Sequence, residues 1–168
     1  MKKIIGLIVL AACLSNVTAA DKGDAPSYTL RTDQDLRDRF GPSSATITSL
    51  SFDLTYAELS AAQQMLFKHY YVAMGEQDEP PYPVDGLKAI YQPITQAQAR
   101  LGMQGQLDAE VTVADDGVPM DVKFYRSPNA ALTKFVANLA MITRFKPGLC
   151  NGQPCKMGFP IRVTFVMQ

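Results

Sequence analysis

The sequence predicts an α+β fold, in which one helix packs on a three-stranded antiparallel sheet (β-β-α-β) after a mostly helical N-terminal segment. Two runs of alternating apolar and polar residues, 107–113 and 118–125, flank an Asp-Gly turn signal. An apolar stripe at helical spacing follows over 132–142, and a third alternating run, 159–167, lies near the end of the 168-residue chain. Period-two runs indicate strands with one buried face, and the stripe indicates a helix that covers this face.

The first two strands are predicted to form a hairpin. Asp116-Gly117, between the two runs, is a strong signal for a tight turn, because glycine tolerates positive φ there. The apolar face of the hairpin is expected to turn to the core and consists of Leu107, Ala109, Val111 and Val113 on the first strand and Val118, Met120, Val122 and Phe124 on the second.

A helix and a third strand follow the hairpin. Ser127-Pro128-Asn129 favours the start of a helix, and Lys146-Pro147-Gly148 is predicted to close the region after it. The apolar stripe of the helix consists of Leu132, Phe135, Val136, Leu139 and Ile142. The third strand places on one face Phe159, Ile161, Val163, Phe165 and Met167.

The N-terminal segment is predicted to be mostly helical. Its best helix covers 59–75, where Ser60 and Gln63 fit a capping box and Gly75 fits the C-terminal end. Weaker patterns predict three further elements: a short helix at 32–41, a strand or extended segment at 47–54, and a short helix at 87–92 that Pro93 ends.

The first twenty residues have the three-part pattern of a secretory signal peptide. Two lysines precede an uncharged apolar run, and small residues then lead to Asp21. This predicts cleavage and export to a bacterial periplasm. A second interpretation stays open, because Leu10-Ala11-Ala12-Cys13 resembles a lipobox. Lipidation of Cys13 would give an outer-membrane lipoprotein that faces the periplasm, and only then do we expect the chain to bind a membrane.

The Pro-rich stretch at 76–86 is the best candidate for a domain boundary. This boundary divides the chain into a signal peptide (1–20), an N-terminal segment (21–78) and a C-terminal domain resembling a known family, as described below (79–168).

The two remaining cysteines, Cys150 and Cys155, are predicted to form a disulfide. Once Cys13 is removed or acylated they make an even pair in an oxidising compartment, and Asn151-Gly152 favours a tight turn between them. A structural zinc needs four ligands, whereas His69 is the sole histidine of the chain. Thioredoxin-like redox chemistry uses Cys-x-x-Cys, which this spacing does not match. A metal site and two unpaired thiols stay open as weaker alternatives.

The sequence offers no constellation of residues for catalysis. His69 lies in a predicted helix beside Lys68, and Asp115-Asp116 lies at a predicted turn. Phosphate-loop and zinc motifs are missing, so we predict neither enzymatic activity nor a cofactor. A formal net charge of +0 gives no reason to expect a nucleic-acid partner. One alternative is a periplasmic enzyme or small-molecule binder with a site between the two segments, around His69, Tyr70 and Tyr91.

Several stretches of the C-terminal half share an order and spacing with a known domain. They are PPYP at 80–83, GMQGQLDAEVTVADDGVPMDV at 102–122, RSPNAALTKFVANLAMITRFKPG at 126–148, and the final NGQP and FPIRVTF. Together they resemble the TonB C-terminal domain family, with its opening Pro-x-Tyr-Pro, hairpin, amphipathic helix and last strand. This order agrees with the strand-strand-helix-strand pattern predicted above.

The resemblance implies a periplasmic protein–protein interaction domain. Energy transducers of this family contact outer-membrane receptors, and a short receptor segment adds alongside the last strand of the domain. The implied partner is therefore an envelope protein, such as an outer-membrane receptor segment, or a second copy of the chain in a homodimer. Transferred to this sequence, the partner-binding residues are Pro81, Tyr82 and Pro83 of the opening motif and Ile161, Arg162, Val163, Thr164, Phe165 and Val166 of the last strand.

Some features depart from the family. Full energy transducers keep an N-terminal membrane helix and a long Pro-rich span, whereas we expect this chain to keep neither and to lack direct coupling to a proton-motive complex. Glu79 stands where family members often have Gln, and residues 84–101 lengthen the gap before the first strand. Residues 21–78 have no recognised counterpart, so the resemblance names a domain and not a complete function.

Overall fold

A computed structural model describes residues 51–166 of the chain. The predicted signal peptide, Cys13, the helix at 32–41 and the beginning of the extended segment at 47–54 lie outside the described residues. Residues 52–54 form a turn, so the described part of that segment is not a strand. Within the described residues, every helix is too short or too polar to span a bilayer.

The described residues contain one 3-10 turn, three α-helices and seven strands. In chain order they are a 3-10 turn (Tyr56–Glu58), α1 (Ala61–Lys68), β1 (Tyr82–Pro83), α2 (Lys88–Leu101), β2 (Gly105–Val113), β3 (Pro119–Arg126), α3 (Ala130–Ile142), β4 (Phe145–Lys146), β5 (Gly148–Cys150), β6 (Gln153–Cys155) and β7 (Met157–Phe165). The α+β class is confirmed.

The main sheet has three antiparallel strands in the order β3-β2-β7, with α3 on its apolar side. β2 pairs with β7 along its whole length, from Gly105 opposite Phe165 to Val113 opposite Met157, with no shift of register. The odd-numbered residues of β2 from Leu107 onwards are buried, as the period of two predicts. The β-β-α-β arrangement is therefore confirmed.

β3 departs from the predicted alternation. Its register to β2 shifts twice, which leaves Met120 and Tyr125 without a residue opposite them on β2. The expectation that Val118 and Met120 face the core is wrong, because the bulge beside them breaks the period of two and both side chains are exposed. Val122 and Phe124 keep the predicted face and are partly buried against the core.

α3 begins where the sequence predicts. The Asn129 side chain accepts a hydrogen bond from the Leu132 amide at 2.8 Å, which caps the first turn. The fully buried residues lie four apart on one narrow line: Leu132, Val136 and Ala140. The predicted stripe is wider than this line, because Phe135 is 38% exposed and Ile142 is 80% exposed.

α1 begins at the predicted capping box. The Gln63 amide donates to Ser60 Oγ, and the Gln63 side chain accepts from the Ser60 amide. The helix ends before the predicted Gly75, because Tyr70 and Tyr71 turn into the core directly after it.

α2 is longer than the helix predicted at 87–92, because Pro93 lies inside it and does not end it. Proline removes one main-chain hydrogen bond from a helix. Ile90 and Ile94, on either side of Pro93, are fully buried, and their packing outweighs this local loss.

Residues from both predicted segments share one hydrophobic core. The ring of Phe67, on α1, lies 5.2 Å from the ring of Tyr82 and 5.9 Å from that of Phe159 between centroids. The ring of Tyr56 lies 5.6 Å from that of Tyr82. The division of the chain near residue 79 stays a prediction about folding units.

Cys150 and Cys155 are joined by a disulfide, with their Cα atoms 5.8 Å apart, which confirms the predicted pairing. It lies on the small β5–β6 hairpin, whose turn residues Asn151 and Gly152 have φ of 51° and 76°. The Asp78 carboxylate accepts a hydrogen bond from the Asn151 amide at 2.7 Å, so this hairpin also holds the Pro-rich linker.

We expect Cys150→Ser to lower the free energy of unfolding by about 2 kcal/mol without abolishing the fold, since the disulfide closes a short loop. Thermal unfolding of the native protein with and without reductant measures the effect. The control is the Cys150→Ser/Cys155→Ser double variant, whose Tm should not respond to reductant. Equal Tm values for the native protein under both conditions would contradict a stabilising disulfide.

Candidate interaction edge

The main sheet has two outer edges within residues 51–166, one on β3 and one on β7. β3 carries bulges at Met120 and Tyr125, and bulges disturb the regular row of N–H and C=O groups that a pairing strand needs. β7 pairs regularly with β2 over its nine residues. The geometry therefore favours β7 as the edge that can accept another strand.

Successive residues of β7 direct their main-chain groups to opposite sides of the strand. The carbonyls of Gly158 and Pro160 accept tyrosine hydroxyls instead of β2 amides, so the even-numbered residues face away from β2. Pro160 fits this orientation, because proline lacks the N–H that a position facing β2 would use. Arg162 and Thr164 follow in the same orientation.

Two tyrosine hydroxyls cover the first half of this edge. Tyr71 Oη donates to the Gly158 carbonyl oxygen at 2.8 Å, and Tyr71 is 1% exposed. Tyr91 Oη donates to the Pro160 carbonyl oxygen at 3.5 Å and accepts a hydrogen bond from the Arg162 amide. The outward-facing groups from the Gly158 carbonyl to the Arg162 amide are thus engaged by the chain itself.

Burial disfavours ionisation of both hydroxyls. It raises the pKa of Tyr71, and the nearby Glu110 carboxylate raises this pKa further. Burial also raises the pKa of Tyr91, while the hydrogen bond from the Arg162 amide acts in the opposite direction because it favours the ionised phenol. Both side chains therefore act as neutral donors to β7 at physiological pH.

The second half of the edge is open to solvent among the described residues. Thr164 is exposed, and Val166, just beyond the strand, is 69% exposed. Ile161 and Phe165 turn buried side chains into the core, and Val163 is half-buried. A strand laid along this half would meet outward main-chain groups flanked by the side chains of Thr164 and Val166.

Arg162 lies between the two halves. It pairs with Asp108 across the β2–β7 register, with its Nε 3.5 Å from Asp108 Oδ1 and only 14% and 16% of the two side chains exposed. Its guanidinium carbon also lies 5.9 Å from the ring centroid of Tyr70. The side chain is therefore held against the sheet and does not extend over the open part of the edge.

The chain from residue 95 to residue 167 matches the family model of the Gram-negative bacterial TonB protein C-terminal. These residues belong to the TonB C-terminal family. The matched range begins inside α2 and includes β2, β3, α3 and β7. The family is a periplasmic protein-interaction domain of Gram-negative bacteria. No curated protein and no solved structure matches the chain.

The Pro-Tyr-Pro motif lies outside the matched range of the TonB C-terminal domain and inside the folded protein. Pro81, Tyr82 and Pro83 are buried, and Tyr82 is 0% exposed. The register places Tyr82 opposite Lys146 and Pro83 opposite Phe145 on β4. The motif thus packs the core and is separate from the β7 edge. Its contact with a partner stays a prediction.

The residues considered for a catalytic or ligand site between the segments, His69, Tyr70 and Tyr91, each have partners within the protein. His69 Nδ1 lies 2.6 Å from the Met65 carbonyl oxygen, and the ring lines a groove of about 330 Å³ along α1. Tyr70 is buried beside Arg162, and Tyr91 bonds to β7. Tyr70 and Tyr91 thus both lie beside Arg162. TonB C-terminal domains are non-enzymatic interaction domains.

Sequence patterns did not identify Tyr71 and Tyr91 as residues of the edge. Both are far from residues 158–162 along the chain, and neither belongs to a motif. The one available signal was Pro160 within the last strand, because proline inside a strand indicates an edge whose outward side needs no donor at that position.

Proposed function

We propose that the chain is an exported, non-enzymatic interaction module of the bacterial envelope, which binds an extended segment of a partner alongside β7. The partner is an envelope protein, for which an outer-membrane receptor segment is the form that the family favours. The proposed docking edge lies within 161–166 and uses the outward main-chain groups of residues 162–166. One observation carries the proposal: β7 is a regular edge strand whose outward-facing Thr164 is exposed.

Strand addition recognises main-chain N–H and C=O groups, so it needs an edge that is regular and accessible. β7 is regular along its whole length, and its last part is accessible at Thr164 and Val166. The edge of β3 is interrupted by its two bulges. These differences support β7 as the docking edge.

The periplasm is the proposed compartment. The disulfide between Cys150 and Cys155 supports it, because disulfides persist in oxidising compartments. The signal-like residues 1–20 support export. The alternative form is an outer-membrane lipoprotein, in which acylated Cys13 holds the same domain at the membrane surface.

Thr164→Pro is expected to weaken capture of the partner strongly while the fold is kept. Proline removes the outward N–H of Thr164 and leaves the β2–β7 hydrogen bonds in place, as the native Pro160 does in the same orientation. A photo-crosslinking residue at Val166, used in cells and followed by mass spectrometry of the adducts, measures the capture. We expect the adduct yield to fall about tenfold or more, because one backbone hydrogen bond is lost and the ring obstructs the partner.

Thr164→Val is the matched control, because it keeps the N–H and the β-branched shape and is expected to keep the adduct yield. Circular dichroism and Tm of both purified variants check the fold. Equal adduct yields from the native chain and both variants would contradict strand addition at this edge. Adducts between two copies of the chain would identify the homodimer as the partner complex.

A further inference from the structure

The two tyrosines on the first half of β7 occupy positions that a partner strand would use. Building on the strand addition proposed above, we propose that Tyr71 and Tyr91 take the place of a partner strand there. The edge then accepts a short segment opposite 162–166, and a longer one only when Tyr91 withdraws. The longer segment and the Tyr91 hydroxyl compete for the same main-chain groups, the Pro160 carbonyl and the Arg162 amide.

The hydroxyl of Tyr91 reproduces the hydrogen bonds of a strand residue. In a parallel pair, one residue donates its N–H to a carbonyl of the neighbouring strand and accepts from an N–H two positions further along. Tyr91 Oη faces the same two groups, the Pro160 carbonyl oxygen at 3.5 Å and the Arg162 amide. A partner strand extended past Arg162 towards Pro160 needs the Arg162 amide and must displace this hydroxyl from it.

The two tyrosines differ in how firmly they hold the edge. Tyr71 is 1% exposed and donates to Gly158 at 2.8 Å, so it is a fixed stop in the folded protein. Tyr91 is half-buried, and its 3.5 Å contact with the carbonyl oxygen is at the long limit for a hydrogen bond. Its ring packs against the half-buried ring of Phe52, with the centroids 5.5 Å apart. Tyr91 is therefore the exchangeable position.

Both tyrosines precede the residues that match the TonB C-terminal family, 95–167. Tyr71 comes from the turn after α1, and Tyr91 comes from α2 ahead of the matched start. The tyrosines that cover the first half of β7 thus come from a part of this chain outside the matched residues. The remaining stretch suits a partner segment of about five residues, one for each position from 162 to 166.

Tyr91→Phe tests the competition, because it deletes the hydroxyl and keeps the ring. We expect it to raise the yield of adducts from a photo-crosslinking residue at Val166 roughly two- to tenfold, the range that one net hydrogen bond contributes. We also expect hydrogen exchange of the Arg162 amide in the purified chain to become about tenfold faster, since it loses an acceptor. Tyr91→Ala, which also removes the ring, is expected to raise the adduct yield further.

Tyr125→Phe is the matched control. Its hydroxyl donates to Glu110 Oε2 at 2.8 Å, between β3 and β2, and not to a main-chain group of β7. We expect this variant to change neither readout. Tm values of all variants show whether each remains folded under the conditions used.

The possible outcomes separate the competition from strand addition itself. Adducts from the native chain that do not increase in either Tyr91 variant overturn the competition and leave strand addition standing. An equal increase in Tyr125→Phe also overturns it, because the effect is then a general loosening of the fold. Absence of adducts from the native chain and from both Tyr91 variants overturns strand addition and the competition together.

Discussion

Phe67→Ala is expected to lower the free energy of unfolding by about 3–5 kcal/mol, the range for truncating a buried phenylalanine. Phe67 is 3% exposed, and its ring centroid lies between 5.2 and 6.3 Å from those of four other rings. Two of these rings come from the turn after α1 and two from the C-terminal part: Tyr70 and Tyr71, and Tyr82 and Phe159. Truncation leaves a cavity lined by both parts. Urea unfolding followed by circular dichroism measures the loss.

Met65→Ala is the matched control on the same helix. Met65 is 61% exposed, so we expect the free energy of unfolding to change by less than about 0.5 kcal/mol. We also expect a single unfolding transition for the native chain and for Phe67→Ala, because the core is shared. A separate transition of the N-terminal segment would show that residues 21–78 fold apart from 79–168. Equal effects of the two variants would contradict the burial of Phe67 in the shared core.

The main sheet could be predicted from the sequence because its signals are local. The pleat of a strand imposes the period of two seen over 107–113, and the turn at Asp116-Gly117 needs the positive φ that Gly117 adopts, 84°. The bulges at Met120 and Tyr125 could not be predicted. A period-two run is compatible with regular and with bulged pairing until the register of the facing strand is fixed.

The helices show the same division between local and distant causes. Ser60 and Asn129 start α1 and α3 by capping neighbouring amides, which the sequence reveals. The end of α1 depends on the burial of Tyr70 and Tyr71, and α2 continues through Pro93 because the residues around it are buried. These burials are set by elements far along the chain, which local patterns do not encode.

The position of the candidate edge could be predicted from the sequence. That two tyrosine hydroxyls occupy its first half could not be predicted. The alternation and the family resemblance both place 161–166 in the last strand. The carbonyls of Gly158 and Pro160, just before this range, are bonded by Tyr71 and Tyr91, which lie far away along the chain. Tyr82 makes the same point. A Pro-flanked tyrosine beside a linker looks like an exposed recognition motif, yet the ring of Phe67 lies 5.2 Å from it in the core.

Gly117→Ala is expected to lower the free energy of unfolding by about 3 kcal/mol or more, because two costs add. Gly117 has φ +84°, which strains any L side chain, and a Cβ there would lie 2.1 Å from the carbonyl oxygen of Phe145. That oxygen belongs to the backbone of β4, so no side-chain rotation relieves the clash. The Phe145 amide also donates to the Gly117 carbonyl at 3.2 Å, and separating the two segments would sacrifice this bond.

Gly152→Ala is the matched control that separates the steric clash with Phe145 from the backbone strain. Gly152 has φ +76° and no atom within 4 Å of a built Cβ, so only the backbone strain applies and we expect a loss of about 1 kcal/mol. Urea unfolding of the two variants therefore isolates the close approach of the β2–β3 turn to β4. Equal losses in both would mean that β4 moves aside at no cost. A larger loss in Gly117→Ala would show that this glycine is required because the hairpin turn packs directly on the backbone of β4. β4 itself pairs with Tyr82–Pro83.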